Sequence, residues 1–132
     1  MTGNDHIGPC SPFFIVSSID RSLRHYVDAL GFVCTFQGPD PLDVFFAIVN
    51  RGSAQIMLKV IDENVQAIPN HTRHEGARWD TFIYVCDPDA LAQEFASKDL
   101  PFHRPLANDD DGLRGFEIAD PDGYVCFFGR PE

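Results

Sequence analysis

The stretch that decides the fold is RGFEIADPDGYVCFF, residues 114–128. Two apolar runs flank the tetrapeptide DPDG at 120–123, in which Pro121 presets φ for a turn and Gly123 accepts a positive φ. This pattern predicts a β-hairpin with strands over 114–119 and 124–128. Because successive side chains of a strand point to opposite faces, each strand should present one face to a core and the other to a cavity or solvent.

The same order of elements occurs earlier in the chain, offset by 70 residues. A second hairpin is predicted from strands over 44–49 and 55–60, and the two turns begin at residues 50 and 120. One apolar strand and one amphipathic helix precede each hairpin, and we expect Asp20 and Asp87 to cap the two helices. Each half of the chain therefore reads strand, helix, strand, strand, strand.

Two such modules predict a single α+β domain over residues 1–132. Module one covers about 11–60, a linker containing Pro and Gly covers about 62–78, and module two covers about 79–129. A chain of this length buries roughly 68% of its unfolded surface, so a core can form without disulfides or metal.

Composition and net charge indicate which kinds of binding partner, such as nucleic acids or membranes, can be excluded. The chain has 44% apolar residues, and ten Lys plus Arg against twenty Asp plus Glu give a net charge of −10. Such a surface repels phosphate backbones, so we expect no nucleic-acid partner. No apolar run approaches the roughly 20 residues of a membrane span and the first residues lack a secretory signal, so we expect a cytoplasmic protein with no membrane partner. The four cysteines form no CxxC pair, which predicts buried, reduced thiols.

Three segments carry a family resemblance. The segments SIDRSLRHY (18–26), LGF (30–32) and GFEIADPDG (115–123) resemble the glyoxalase/bleomycin-resistance/dioxygenase superfamily, the vicinal oxygen chelate group. The resemblance extends from about residue 10 to residue 129. It implies two βαβββ modules whose strands form a curled, eight-stranded mixed sheet around a ligand cup. It also implies a homodimer, since a second subunit often completes the cup in this superfamily.

The same resemblance implies where a metal would lie. Metal-dependent members carry His, Gln or Glu at one position in the first and last strand of each module. The four superfamily metal positions here are Ser11, Met57, Asp80 and Phe127. Because a divalent ion needs about three ligands and only Asp80 is a suitable one, we expect no metal at these positions and no other cofactor.

Strand alternation predicts which side chains line the cup. Two carboxylates, Asp80 and Glu117, should face inward among aromatic rings, so we expect a flat cationic ligand to be preferred over an anionic one. The predicted ligand-binding residues are Ser11, Phe13, Phe36, Phe46, Met57, Asp80, Phe82, Tyr84, Glu117 and Phe127.

The expected function is metal-free binding of a cationic or aromatic small molecule, similar to members of the superfamily that sequester antibiotics. The alternative is an enzyme of the same superfamily, lyase-like or dioxygenase-like, with Asp80 or Glu117 as a base. A third interpretation is a regulatory or interaction module without a small ligand. His71 and His74 have the spacing of metal ligands, but no third ligand accompanies them, so we expect a solvated or inter-subunit loop.

Overall fold

The computed structural model describes residues 6–132, whose eight strands are divided equally between two four-stranded sheets. The first half contains β1 (Phe13–Ile15), α1 (Ile19–Leu23), β2 (Val33–Asp40), β3 (Asp43–Arg51) and β4 (Ala54–Lys59). The second half contains β5 (Thr81–Tyr84), α2 (Pro88–Ala96), β6 (Arg104–Asn108), β7 (Leu113–Ala119) and β8 (Val125–Pro131). Helix α1 continues as a π-helical segment over Arg24–Ala29, and the loop between the halves contains a 3-10 turn at Asn70–Thr72.

The two sheets repeat one topology. Their strand orders are β1-β4-β3-β2 and β5-β8-β7-β6, with one parallel pair in each sheet, β1 with β4 and β5 with β8. The register repeats as well, since Phe13 lies opposite Met57 and Phe82 lies opposite Phe127. Between the described residues no ladder joins the sheets, so the eight strands form two mixed sheets rather than one continuous sheet. The α+β class and the doubled βαβββ module are confirmed.

The ends of the helices correct one prediction. Ser18, not Asp20, caps α1: its backbone is extended, and its side chain accepts a hydrogen bond from the N–H of Arg21. Asp20 instead lies in the first turn, where a negative charge favours the helix dipole. The second cap is as expected, because Asp87 accepts from Ala90 N and Pro88 takes the first helical position.

The core joins both modules. Within module two, the rings of Phe116 and Phe128 meet Phe95 of α2 edge to face, with centroids 5.8 and 5.5 Å apart. Between the modules, Phe14 of β1 stacks on Tyr124 with centroids 4.2 Å apart. Each fully buried phenyl ring contributes roughly 1.5–3 kcal/mol of apolar burial. Among the described residues, all buried apolar side chains except Val125 and Phe127 form one cluster, so the two modules share a core.

Each hairpin turn is also tied to the helix of the other module. Tyr26, in the π-helical segment, donates a hydrogen bond to Asp120 Oδ2 at 2.7 Å. At the corresponding turn of module one, Arg51 donates to both carboxylate oxygens of Glu94 at 2.9 Å and to Leu30 O at 2.7 Å. Polar contacts therefore hold the two modules together beside the shared core.

The exposure of the cysteines differs from the prediction that all four are buried. All four are free thiols, but only Cys126 is buried; Cys34 is half-buried, and Cys10 and Cys86 are exposed. The two exposed residues lie just outside β1 and β5, beyond the last positions that face the core. Among the described residues, no helix has the length and apolar character needed to cross a membrane.

Candidate functional site

A cavity of about 400 Å³ opens on the second sheet, and we call it the β7 cavity. Phe116 and Phe128 face α2, so by strand alternation Glu117 and Phe127 point to the other side of the sheet. A volume of this size is within the range of small-molecule sites. Its walls are formed by Arg78, Arg104, Pro105, Ala107, Asn108, Asp109, Asp110, Asp111, Gly115, Phe116, Glu117 and Phe127.

Phe127 lines the cavity although it is only 2% exposed, and two glycines leave room for its ring. A Cβ on Gly115 would lie 2.5 Å from the Phe127 ring, and a Cβ on Gly129 would lie 2.6 Å from it. Trp79 stacks on Phe127 with centroids 4.7 Å apart, and Phe82 lies 5.1 Å from Phe127. Alternation predicted the orientation of Phe82 and Phe127, whereas Trp79 was not among the predicted site residues.

Glu117 is paired rather than free. Its side chain is 0% exposed, and Oε2 accepts hydrogen bonds from Arg78 Nε at 3.2 Å and Nη2 at 3.0 Å. The other oxygen, Oε1, lies 3.0 Å from His103 Nδ1. Strand alternation placed Glu117 among aromatic rings and did not predict Arg78 or His103 as its partners. Arg78 is 39 residues away in the chain, and no local pattern in the sequence indicates the pairing.

The lining of the cavity is acidic. Asp109 and Asp111 lie 3.3 and 3.5 Å from guanidinium nitrogens of Arg78. Burial by itself would raise the pKa of Asp109, but hydrogen bonds from the backbone of Leu113 and Asp111, together with Arg78, hold it below its usual value. The lining contains four carboxylates (109, 110, 111 and 117) and two arginines, which is a net charge of −2.

Asp80 has a different environment from Glu117. Its Oδ1 accepts from Asn70 N at 2.9 Å, and its Oδ2 accepts from Val125 N at 2.8 Å. These bonds tie the loop between the modules to the start of β8. Asp80 lines a separate cavity of about 400 Å³ together with Phe13. The structure therefore does not bring Asp80 and Glu117 into one cavity.

The predicted residues of module one lie on the first sheet. Phe13, Phe36 and Phe46 form an aromatic row, with centroids 6.3 Å apart for Phe13–Phe46 and 6.0 Å apart for Phe36–Phe46. Met57 lies opposite Phe13 in the parallel pair. Ser11 Oγ donates to Gln55 Oε1 at 2.6 Å.

Tyr84 is the last predicted residue, and it is 63% exposed. It lines a third cavity, of about 450 Å³, between β5 and the start of β4. The structure thus brings together two groups of predicted residues, Phe82, Glu117 and Phe127 in one and the aromatic row in the other. Tyr84 shares the third cavity with Phe82, which is not part of the lining of the β7 cavity.

Comparison with known proteins identifies the family. The model of the Glyoxalase/Bleomycin resistance protein/Dioxygenase superfamily matches residues 4–127. The chain belongs to this superfamily. A comparison with curated proteins gives no match.

Solved structures of the superfamily's fold cover almost the whole chain. TioX from Micromonospora sp. ML1 is 18% identical with a TM-score of 0.71, covering 95% of this chain and 99% of its own. TnmS3, an antibiotic binding protein from Streptomyces sp. CB03234, is 18% identical with a TM-score of 0.66, covering 100% of both chains. A bleomycin-binding protein from Streptomyces verticillus, complexed with copper(II)-bleomycin, is 24% identical with a TM-score of 0.68, covering 97% of this chain and 98% of its own. These similarities establish the fold.

The four superfamily metal positions do not fit a metal ion in this chain. Both oxygens of Asp80 are used by backbone N–H groups, and Ser11 donates to Gln55. Met57 offers a thioether and Phe127 offers only a phenyl ring, which do not suit a hard divalent ion. Within residues 6–132, no group of three or more His, Cys, Asp or Glu side chains is arranged to hold a metal ion.

Proposed function

We propose that this protein binds a flat aromatic small molecule in the β7 cavity without a metal at the superfamily positions. The observation that carries the proposal is the stack of Trp79 on Phe127 at 4.7 Å beside a cavity of about 400 Å³. Trp79 is half-buried and Phe82 is 39% exposed, so both rings retain surface for a ligand. Aromatic pairs contribute about 0.5–1.5 kcal/mol beyond the area they bury.

The charges favour a cationic group at the opening rather than deep in the cavity. The Arg78 guanidinium neutralises Glu117 at the bottom, so that carboxylate attracts a ligand cation only weakly. The exposed carboxylates of the lining are Asp110 and Asp111, whereas Asp109 is 12% exposed and paired with Arg78. A flat ligand with a cationic tail fits this arrangement if its rings lie against Trp79 and Phe82, which are next to Phe127 but outside the cavity lining, and its tail enters the β7 cavity toward these carboxylates.

Sequestration is the role that this binding supports best. It requires affinity and sufficient protein but no reaction. An antibiotic binding protein and a bleomycin-binding protein share the fold, and we propose that a related cytoplasmic role in antibiotic resistance applies to this chain.

We also propose that the protein is a homodimer. Large aromatic side chains remain open in the aromatic row of the first sheet, with Phe13 53% and Phe36 47% exposed. Soluble monomers seldom leave such groups uncovered in one region, and a second copy of the chain would cover them. Analytical ultracentrifugation should show a dimer that Phe36→Ser weakens, and a wild-type monomer at high concentration would contradict this.

The geometry favours binding over the enzymatic alternative. A general base needs a carboxylate that can accept a proton from a bound substrate. Glu117 is held by Arg78 and His103, and Asp80 is held by two backbone N–H groups. Each oxygen of both carboxylates therefore already accepts a hydrogen bond or lies within hydrogen-bond distance of a donor in the protein.

The test uses the single tryptophan of the chain as its reporter. Cationic, neutral and anionic aromatic compounds of equal size are titrated while Trp79 fluorescence is recorded. We expect quenching in the order cation, neutral, anion, and Phe127→Leu should weaken all three. Asp110→Asn should lower the cation affinity about two- to fourfold, as expected for loss of one solvent-exposed charge.

The matched control is Glu75→Gln, which removes one exposed carboxylate from the loop between the modules. It should leave all three affinities unchanged. No quenching by any compound, or equal effects of Phe127→Leu and Glu75→Gln, would contradict binding in the β7 cavity.

A further inference from the structure

Two histidines from different segments meet beside the β7 cavity. His71 lies in the 3-10 turn of the loop between the modules, and His103 precedes β6. Their ring centroids are 5.3 Å apart, and their ring planes are inclined by 52°. Neither the core nor the proposed binding of an aromatic ligand requires this pair.

One nitrogen of each ring is already bonded to an acceptor. His71 Nε2 lies 3.0 Å from the carbonyl oxygen of Gly123, and His103 Nδ1 lies 3.0 Å from Glu117 Oε1. A carbonyl and an ionised carboxylate only accept, so each of these nitrogens carries a hydrogen. In the neutral rings the lone pairs are then on Nδ1 of His71 and Nε2 of His103, which have no hydrogen-bond partner among residues 6–132.

This arrangement is typical of metal-binding histidines. A metal-bound imidazole almost always donates its other N–H to a carboxylate or a backbone carbonyl, which fixes the tautomer and orients the ring. Glu117 provides the carboxylate for His103, and Gly123 provides the carbonyl for His71. Both outer partners are held in place, since Arg78 pairs with Glu117 and the N–H of Gly123 donates to Asp120 O.

The separation of the ring centres is compatible with one tetrahedral ion. With metal–nitrogen bonds of about 2.1 Å, two imidazoles at a tetrahedral angle have ring centres about 5.2 Å apart. A right angle between the bonds, as in octahedral coordination, brings the centres to about 4.5 Å. The observed separation is 5.3 Å.

We propose that His71 and His103 bind a divalent transition-metal ion at the edge of the β7 cavity, with Zn²⁺ as the best match. Zn²⁺ takes imidazole ligands in tetrahedral geometry. No third side chain in the described part of the chain completes the set, so two positions remain for water or for donor atoms of a small molecule. The site is separate from the four superfamily metal positions, and it goes beyond the proposed binding of an aromatic ligand.

The test is calorimetric titration of Zn²⁺ into the full chain at about pH 7.5, where imidazole is mostly neutral. Cys10→Ser and Cys86→Ser are present in every sample because both thiols are exposed and free thiols are zinc ligands that would compete with the histidines. We expect one ion per chain, and His71→Ala or His103→Ala should each weaken binding at least about tenfold. The matched control, His74→Ala, changes an exposed histidine of the same loop and should leave the affinity unchanged.

A second readout keeps all histidines in place. Long-range ¹H–¹⁵N spectra without metal should place the hydrogen on Nε2 of His71 and on Nδ1 of His103. Zn²⁺ should then shift Nδ1 of His71 and Nε2 of His103. Absence of Zn²⁺ binding, retention of full affinity in either alanine variant, or an equal loss in His74→Ala would overturn the proposal. No aromatic ligand is present in these experiments, so their outcome is independent of the test of the proposed function.

Discussion

Replacement of Asp120 by asparagine should change how stability depends on pH. Asp120 is 6% exposed at the junction of the modules, where Oδ2 accepts from Tyr26 and Oδ1 accepts from the N–H groups of Asp122 and Tyr124. Burial raises the pKa of Asp120 from 3.8 to about 6, although the bond from Tyr26 and the backbone bonds lower it. Asparagine has the shape of the protonated acid and does not titrate.

The size of this change in the free energy of unfolding follows from the difference between the pKa values of Asp120 in the folded and unfolded states. Because the folded pKa of Asp120 lies above the unfolded value, the folded state binds this proton more tightly. The resulting stabilisation is complete below about pH 4 and is lost as pH rises through about 6. A difference of about two pKa units corresponds to about 3 kcal/mol in the free energy of unfolding.

The assay is urea denaturation of the wild type and of Asp120→Asn at several pH values from about 4 to 7.5. Other groups, such as Asp89, Glu94 and Asp109, also titrate, and their pKa values are lowered in the folded protein. Their contributions to the pH dependence of stability are the same in both proteins, so they drop out of the difference. The stability of Asp120→Asn relative to the wild type should rise by about 3 kcal/mol across this range and level off above pH 6–7.

Tyr26→Phe is the companion variant, because it removes the hydroxyl that donates to Asp120. It should destabilise the protein by about 1–3 kcal/mol when Asp120 is ionised, with a smaller loss near pH 4. If the difference in the free energy of unfolding between the wild type and Asp120→Asn were the same at every pH, the conclusion that burial raises the pKa of Asp120 would be refuted.

Two further substitutions test the packing of the cavity wall and the contact between the modules. Gly129→Ala places a Cβ 2.5 Å from a backbone oxygen and 2.6 Å from the Phe127 ring, so it should destabilise by about 1–3 kcal/mol in thermal unfolding. Gly8→Ala, which has open space around it, is its control, and equal melting temperatures of the two variants would contradict this packing. Arg51→Ala removes the ion pair with Glu94. The side chains of Arg51 and Glu94 are 36% and 38% exposed, so a double-mutant cycle with Arg51→Ala and Glu94→Ala should give a coupling free energy of about 0.5–1 kcal/mol. A coupling of zero would mean that this pair does not hold the modules together.

Much of the fold could be predicted from the sequence, because its signals are local. The turn sequence at 120–123 and its counterpart at 50–53 locate two hairpins, and the 70-residue offset locates two copies of one module. The superfamily resemblance is confirmed by the match over residues 4–127. The cap at Ser18 was missed because Ser18 and Asp20 are both good caps, and only the backbone conformation distinguishes them.

The candidate site was less predictable, because its partners are distant in the chain. The alternation of side chains along the strands predicted the sheet face on which Glu117 and Phe127 lie, but it did not predict the residues that contact them. Arg78 reaches Glu117 across 39 residues, and this contact depends on the path of the loop between the modules. Asp80 was predicted as a possible base, yet its oxygens meet two backbone N–H groups, which a side-chain pattern does not reveal.

The most direct test of the central claim is a crystal structure of the protein with the cationic aromatic compound that quenches Trp79 most strongly. We predict its rings against Trp79 and Phe82 next to the β7 cavity and its cationic group inside the cavity, beside Asp110. A compound bound on the aromatic row of the first sheet, with the β7 cavity unchanged, would contradict the account.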